Sequence, residues 1–203
     1  MNGNSYHLFA NPRSPFARRI RLALNRLQLP VSLEFVEVFK NPTNLNAANP
    51  IGAVPTLLTP DAGPLSDSSH ILEYLHERSG QIWPNEGNFR VRVRQNSVLA
   101  VGVIQSAVLY YQEAHMHESP SPFWKAEHVS VIQETLSWIA ASNPSEWMRN
   151  SLLTQAGWDL AVALEYVTFR LPFVEWEKRR EGLVQILNLA RLDGFFVETA
   201  PKL

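Results

Sequence analysis

The chain has 203 residues, 45% of them hydrophobic and 18% charged, with a formal net charge of -1 and no cysteine. This is the composition of a globular protein with room for one large domain or two small ones, and it argues against disorder and against a nucleic-acid partner. Disulfides, cysteine-ligated zinc and a cysteine nucleophile are excluded by count.

The start of the chain, Met1 to His7, is polar and lacks the apolar centre of a secretory signal, so a cytoplasmic location is expected. Tyr6 to Ala10 is a short apolar run closed by Asn11-Pro12, which predicts a strand and a turn. Ser14-Pro15 then opens a helix, with Ser at the N-cap and Pro at the first helical position, where its missing N–H costs nothing. Phe16, Ile20, Ala23, Leu24 and Leu27 form its apolar face, and Arg18, Arg19, Arg21 and Arg26 fall mostly on the other. The basic clusters Arg18-Arg19-Ile20-Arg21 and Lys178-Arg179-Arg180 read as solvated helix faces.

Pro30 ends the helix, and Val31 to Phe39 alternates as a strand does, with a phase change at Phe35-Val36 that suggests a bulge. An Asn- and Pro-rich stretch, Lys40 to Pro50, precedes two short strands joined at Asp61-Ala62-Gly63-Pro64. Leu65 to Ser69 reads as a strand end running into a cap, and Ile71, Leu72 and Leu75 mark a helix ending near Ser79-Gly80. The Gly-, Pro- and Asn-bearing stretch 80–88 is the expected linker, between a first domain over 1–79 and a second over 89–203. The second domain shows no strand pattern and divides into helices near 89–117, 122–141, 152–169, 174–189 and 191–197. Val98 to Tyr111 is its longest apolar stretch, but Gln105 and Ser106 interrupt it and it falls short of the ~20 residues a membrane span needs, so no membrane partner is expected.

Topology alone stops at an α/β domain followed by an all-α one. Three segments go further: Ser14-Pro15-Phe16-Ala17-Arg18-Arg19-Ile20-Arg21, Asn49-Pro50-Ile51-Gly52-Ala53-Val54-Pro55-Thr56-Leu57, and Leu65-Ser66-Asp67-Ser68-Ser69-His70-Ile71-Leu72-Glu73-Tyr74-Leu75. In order and spacing they resemble the N-terminal domain of the cytosolic glutathione transferases, and Ala156-Gly157-Trp158-Asp159-Leu160-Ala161-Val162-Ala163 is a weaker echo of the family's second domain. The likeness is nearest to bacterial serine-type members. It implies a thioredoxin-like domain with a mixed four-stranded sheet, followed by an all-helical bundle, with glutathione as co-substrate and no metal.

The resemblance also assigns roles. Glutathione reacts as a thiolate, whereas a free thiol of pKa ~8.5 is mostly protonated near neutrality. A hydroxyl at a helix N-terminus, where free N–H groups and the helix dipole favour negative charge, stabilises that thiolate; this is the role implied for Ser14. Read alone, Ser14 is an ordinary N-cap. Val54-Pro55 corresponds to a cis-proline turn whose backbone pairs with the cysteinyl backbone of glutathione; read alone, Pro55 simply opens an edge strand. Asp67 and Ser68 correspond to the acidic-Ser pair that holds the γ-glutamyl end, and a cap site and an anion site are compatible there. Tyr6, near the position some classes use for thiol activation, reads as a packing residue.

Two departures stand out. Ala53 stands where many relatives carry Lys, leaving Lys40 or Arg13 to supply the missing cation. In the second domain Ala156 occupies the place of a capping Ser or Thr three residues before Asp159, with Thr154 two residues earlier, so that helix is expected to be capped differently. Without cysteine, the thiol-transfer chemistry of cysteine-bearing relatives is excluded, which shifts the expected reaction toward conjugation, isomerisation, or ether or halide cleavage on a hydrophobic small-molecule electrophile. The family likeness further implies a homodimer. The competing expectation is a protein-binding module of the stringent-starvation-protein type. His115 and His117 point apart on a helix and lack a third ligand, and His7, His70, His76 and His128 are scattered, so no metal site is expected. Tyr110 and Tyr111 are candidates for lining the electrophile pocket.

Overall fold

The computed structural model describes residues 5–178 and 180–202. Contacts divide the chain into two units, one running to Ile82 and taking in the chain again from Glu198, the other Trp83–Val197.

The first unit is built on β1 (Tyr6–Ala10), α1 (Pro15–Arg26), β2 (Val31–Phe35), α2 (Thr43–Ala48), β3 (Thr56–Thr59), β4 (Gly63–Ser66) and α3 (Ser68–Ser79). Its four strands lie in the order β2-β1-β3-β4, with β1 parallel to β2 and the other two pairs antiparallel. Side chains alternate across the sheet. Phe9 packs on one face with Val36 and with Leu45 of α2. Leu8 and Ala10 point the other way and are fully buried, as are Ile20 and Leu24 of α1 and Ile71, Leu72 and Leu75 of α3. This is the thioredoxin-like arrangement.

Three expectations need correction in this unit. β2 stops at Phe35 without a bulge: the Val36 N–H still reaches the Ala10 carbonyl at 2.9 Å, and Val38–Lys40 then turns as a 3₁₀ segment. The stretch after Lys40 contains α2, a short helix with Leu45 as its single buried residue and therefore without a readable apolar period. Arg18 and Arg19 do not lie on a solvated face, being 3% and 1% exposed. Arg18 donates from Nε to Thr199 Oγ1 at 3.3 Å, and Arg19 donates to Ser68 Oγ at 2.6 Å. These partners come from the far end of the chain and from α3, so no local pattern could announce them.

The second unit contains α4 (Gly87–Met116), α5 (Pro122–Ala140), β5 (Met148–Arg149), β6 (Leu152–Leu153), α6 (Gln155–Arg170) and α7 (Glu181–Ala190); α8 (Gly194–Glu198) runs to its boundary. Val93, Ala100, Val103, Ile104 and Ala107 of α4 are fully buried at helical spacing. α6 is buried on nearly every side, as a core helix is. Contrary to the expected absence of strands, β5 and β6 form a small hairpin with positive φ at Asn150 and Ser151, the backbone that a tight two-residue turn requires. The helix expected from 174 begins only at Glu181. A 3₁₀ turn at Pro172–Val174 and a left-handed Glu175 place Trp176 in the core, 2% exposed, with its Nε1 donating to Thr168 Oγ1 at 2.8 Å. Of the second basic cluster, Lys178 is exposed and pairs with Glu175, Arg180 donates to the Trp176 carbonyl at 3.0 Å, and Arg179 lies outside the described residues.

The cap of α6 is Thr154, whose Oγ1 accepts from the Gly157 N–H at 3.3 Å. Asp159 is fully buried and accepts from Ser97 at 2.5 Å and from Gln155 at 2.9 Å. Glycine is required at position 157, because a Cβ there would collide with the Trp147 carbonyl. Among the described residues no helix is long and apolar enough to cross a membrane.

Candidate functional site

Strand directions bring the sequence-predicted residues to one end of the sheet. β1 and β2 are parallel, so the turn carrying Ser14 and the segment carrying Lys40 leave from the same edge. β3 runs against β1, with Phe9 opposite Thr56, which sets Val54-Pro55 at that edge too. β4 runs against β3, with Ser66 opposite Thr56, and so delivers Asp67 and Ser68 there.

Ser14 caps α1. Its Oγ accepts from the Ala17 N–H at 3.2 Å, and its own carbonyl accepts from the Arg18 N–H at 3.0 Å. Among the described residues the Ser14 hydroxyl hydrogen has no acceptor, and Pro15 carries no N–H, so the Phe16 N–H and the Ser14 O–H are the open donors of this helix start. The dipole of a 12-residue helix adds to their preference for an anion.

The Val54-Pro55 peptide bond is cis. Neither backbone group of Val54 has a partner among the described residues. The loop is held by Asn49, whose role no local pattern in the sequence announces. Its buried amide donates to Thr56 Oγ1 at 2.9 Å and to the Ala53 carbonyl at 3.2 Å, and its Oδ1 accepts from the Ile51 N–H at 3.1 Å. Thr56 Oγ1 donates back to the Ala53 carbonyl at 2.8 Å. Gly52, at φ +68, supplies the left-handed step between them.

Asp67 sits at φ 66 and ψ 126 as the cap of α3, with Oδ1 accepting from the N–H groups of Ser69 at 2.7 Å and His70 at 3.4 Å. A positive φ is uncommon for a residue with a Cβ. Here it turns the carboxylate onto the helix start while Oδ2 stays unengaged among the described residues. Ser68 is 2% exposed, and its Oγ accepts from Arg19, which leaves its own O–H free to donate. Arg13 pairs with Glu37 at 3.5 Å, whereas Lys40 is exposed and has no partner among the described residues.

Tyr6 lies at the opposite end of β1, about 13 Å along a strand that rises ~3.3 Å per residue. It is 9% exposed and edge-on to Tyr74. Burial, with Tyr74 beside it, pushes its phenol up to about 12. Tyr6 is therefore a packing residue, remote from Ser14. In the second unit Tyr110 meets Phe173 and Tyr111 meets His115, at 5.6 and 4.6 Å between ring centroids. His117 lies 3.8 Å from Glu113, and His7 bridges Ser32 and Glu34. Among the described residues no group of three or more His, Asp or Glu side chains could hold a metal ion.

Residues 8–83 match the family model for the N-terminal domain of glutathione S-transferase. The GST-like protein YibF of Escherichia coli K12 is 26% identical over 195 residues, covering 93% of this chain and 96% of that protein. A glutathione S-transferase of Methylobacterium radiotolerans in complex with glutathione sulfonate superposes with a TM-score of 0.89 at 25% identity, over 98% of this chain and 96% of that one. A glutathione transferase family member of Pseudomonas fluorescens Pf-5 with bound glutathione gives 0.89 at 26%, over 98% and 100%. The family model covers the sheet-bearing unit and the whole-chain likenesses continue through the helical one, so residues 8–83 form a glutathione S-transferase N-terminal domain and the chain as a whole has the fold of the glutathione transferases it resembles.

Proposed function

We propose that the chain is a serine-type glutathione transferase that binds glutathione at the Ser14 end of the sheet and directs its thiolate at a small hydrophobic electrophile. One observation carries the reading: Ser14, Val54 and Asp67 converge at one edge with unspent hydrogen-bonding groups. The relatives from Methylobacterium and Pseudomonas bind glutathione or its sulfonate, which supports the same ligand here.

In this reading the unpaired N–H and C=O of Val54, ahead of Pro55, take the cysteinyl backbone as an added strand would. The Ser68 hydroxyl and the α3 N-terminus take the γ-glutamyl carboxylate, and the free Oδ2 of Asp67 takes the ammonium. Lys40 supplies the charge that Ala53 does not. The thiol sulfur then meets the Ser14 O–H and the Phe16 N–H, which lower the cost of the thiolate before attack. Ser14 donates a hydrogen bond and forms no bond to substrate. The reaction is conjugation, isomerisation, or cleavage of an ether or halide bond, carried out by a cytoplasmic homodimer.

Turnover of chlorodinitrobenzene with reduced glutathione tests the proposal. Activity that falls with Ser14→Ala, at near-normal glutathione affinity, is the expected result. A wild-type chain that neither binds glutathione nor turns over the arene would overturn it and point to a protein-binding role.

A further inference from the structure

The hydroxyl of Ser68 owes its direction to a residue of α1. Arg19, in the second turn of that helix, is buried and donates from Nη1 across to Ser68 Oγ on α3 at 2.6 Å. Charged side chains are almost never buried this fully unless they are paired. A guanidinium has N–H donors and no acceptor, so in this contact Ser68 Oγ receives and its single hydrogen is turned elsewhere. Ser68 is itself buried, and among the described residues no acceptor takes that hydrogen. A buried donor in that state is costly until an acceptor meets it.

The contact does two things at once. It fixes which way the hydroxyl points, and as a charge-assisted bond it polarises the O–H into a stronger donor. The surrounding structure holds the pair still. α1 packs against α3, with Ile20 and Leu24 of the one and Ile71, Leu72 and Leu75 of the other fully buried. The residue ahead, Asp67, is tied through Oδ1 to the Ser69 and His70 N–H groups, so Ser68 sits on a helix start that is already anchored. Because Ser14 caps the helix that carries Arg19, α1 serves the thiol end and the γ-glutamyl end together.

We infer that Arg19 is a positioning residue of the glutathione site, which aims and strengthens the Ser68 hydroxyl toward the γ-glutamyl carboxylate without touching the ligand. The inference rests on the glutathione reading and goes beyond it: a buried charge on α1 makes the site selective for thiol peptides whose γ-glutamyl end keeps that carboxylate.

Reduced glutathione and γ-aminobutyryl-cysteinylglycine, which is glutathione without that carboxylate, titrated separately into the full chain, give the test in wild type, Arg19→Met, Arg19→Gln and Ser68→Ala. The wild type is expected to prefer glutathione by about tenfold or more, as a hydrogen bond to a charged group provides. Arg19→Met should lose most of that preference by weakening glutathione alone, and Ser68→Ala should lose it in the same way. Arg19→Gln, which keeps an N–H donor without the charge, should fall between. Both ligands report on the same folded fraction, so a structural loss cancels in the ratio. In turnover of chlorodinitrobenzene Arg19→Met should raise KM for glutathione and hold kcat, since the Ser14 and Phe16 donors are untouched. A wild type that binds both ligands alike would overturn the inference, as would Arg19 variants that keep the wild-type ratio or weaken both ligands equally; each result leaves the glutathione reading standing. If Arg19→Met does not fold, Arg19→Gln decides by the same ratio. A wild type that binds neither ligand would defeat the glutathione reading, and the inference with it.

Discussion

The two ends of the four-stranded sheet each carry a set of polar side chains, and the sets are wired in opposite ways. At the end where β1 starts, Tyr6 packs edge-on to Tyr74, the Tyr74 hydroxyl donates to Asp61 at 2.5 Å, and Asp61 pairs with Arg78 at 2.5 Å, whose guanidinium also lies over the Tyr74 ring. That set closes on itself and clips the β3-β4 turn to α3. At the other end Ser14 and Asp67 each spend one group on the fold and keep another open, and both backbone groups of Val54 stay open among the described residues. A saturated network holds a structure together; a half-spent one at convergent positions is a place for a ligand.

If that contrast is right, substitutions at the open end change chemistry and those at the closed end change stability. Ser14→Ala should have the largest effect, lowering kcat by about a hundredfold to a thousandfold, as removal of one donor to a developing anion does, with little change in glutathione Kd by calorimetry. Asp67→Ala should come next, weakening glutathione binding by about tenfold through loss of the ammonium contact. The same change should cost about 1 kcal/mol of stability through the lost cap, read by urea unfolding. Tyr74→Phe should cost about 1 kcal/mol of stability and leave both kcat and glutathione Kd unchanged. Loss of glutathione affinity in that variant would break the contrast.

The smallest effect belongs to Tyr6, and it appears only at high pH. Burial holds its phenol neutral up to about 12 in the folded chain, against 10.0 when exposed. Its contribution is therefore complete below pH 10 and is lost as pH rises toward 12, because the unfolded chain ionises first. Thermal melts across that window should fall more steeply for the wild type than for Tyr6→Phe, and the two should run together near neutrality.

Ser14-Pro15, Val54-Pro55 and Asp67-Ser68 were legible in the sequence because caps and proline turns are local chemistry. The strand and helix order of the first unit, α2 apart, was legible for the same reason. What escaped depends on distant partners or on segments too short to show a period. Asn49 gains its role only when the turn brings Ala53 and Thr56 back onto its amide. Arg18 looked solvated because its partner Thr199 lies 181 residues away. The β5-β6 hairpin has two residues per strand, and its Asn150-Ser151 turn lacks the glycine that usually announces one. At α6 the cap is written in the sequence as Thr154, two residues ahead of the place where Ala156 stands for the family's capping Ser or Thr.

Calorimetric titration of reduced glutathione into the wild-type chain, run beside Asp67→Ala and Tyr74→Phe, tests the open-end assignment most directly. The account predicts saturable binding in the micromolar to millimolar range that weakens with Asp67→Ala and is untouched by Tyr74→Phe. No heat and no thermal shift at high millimolar glutathione, or equal weakening by both substitutions, would contradict it.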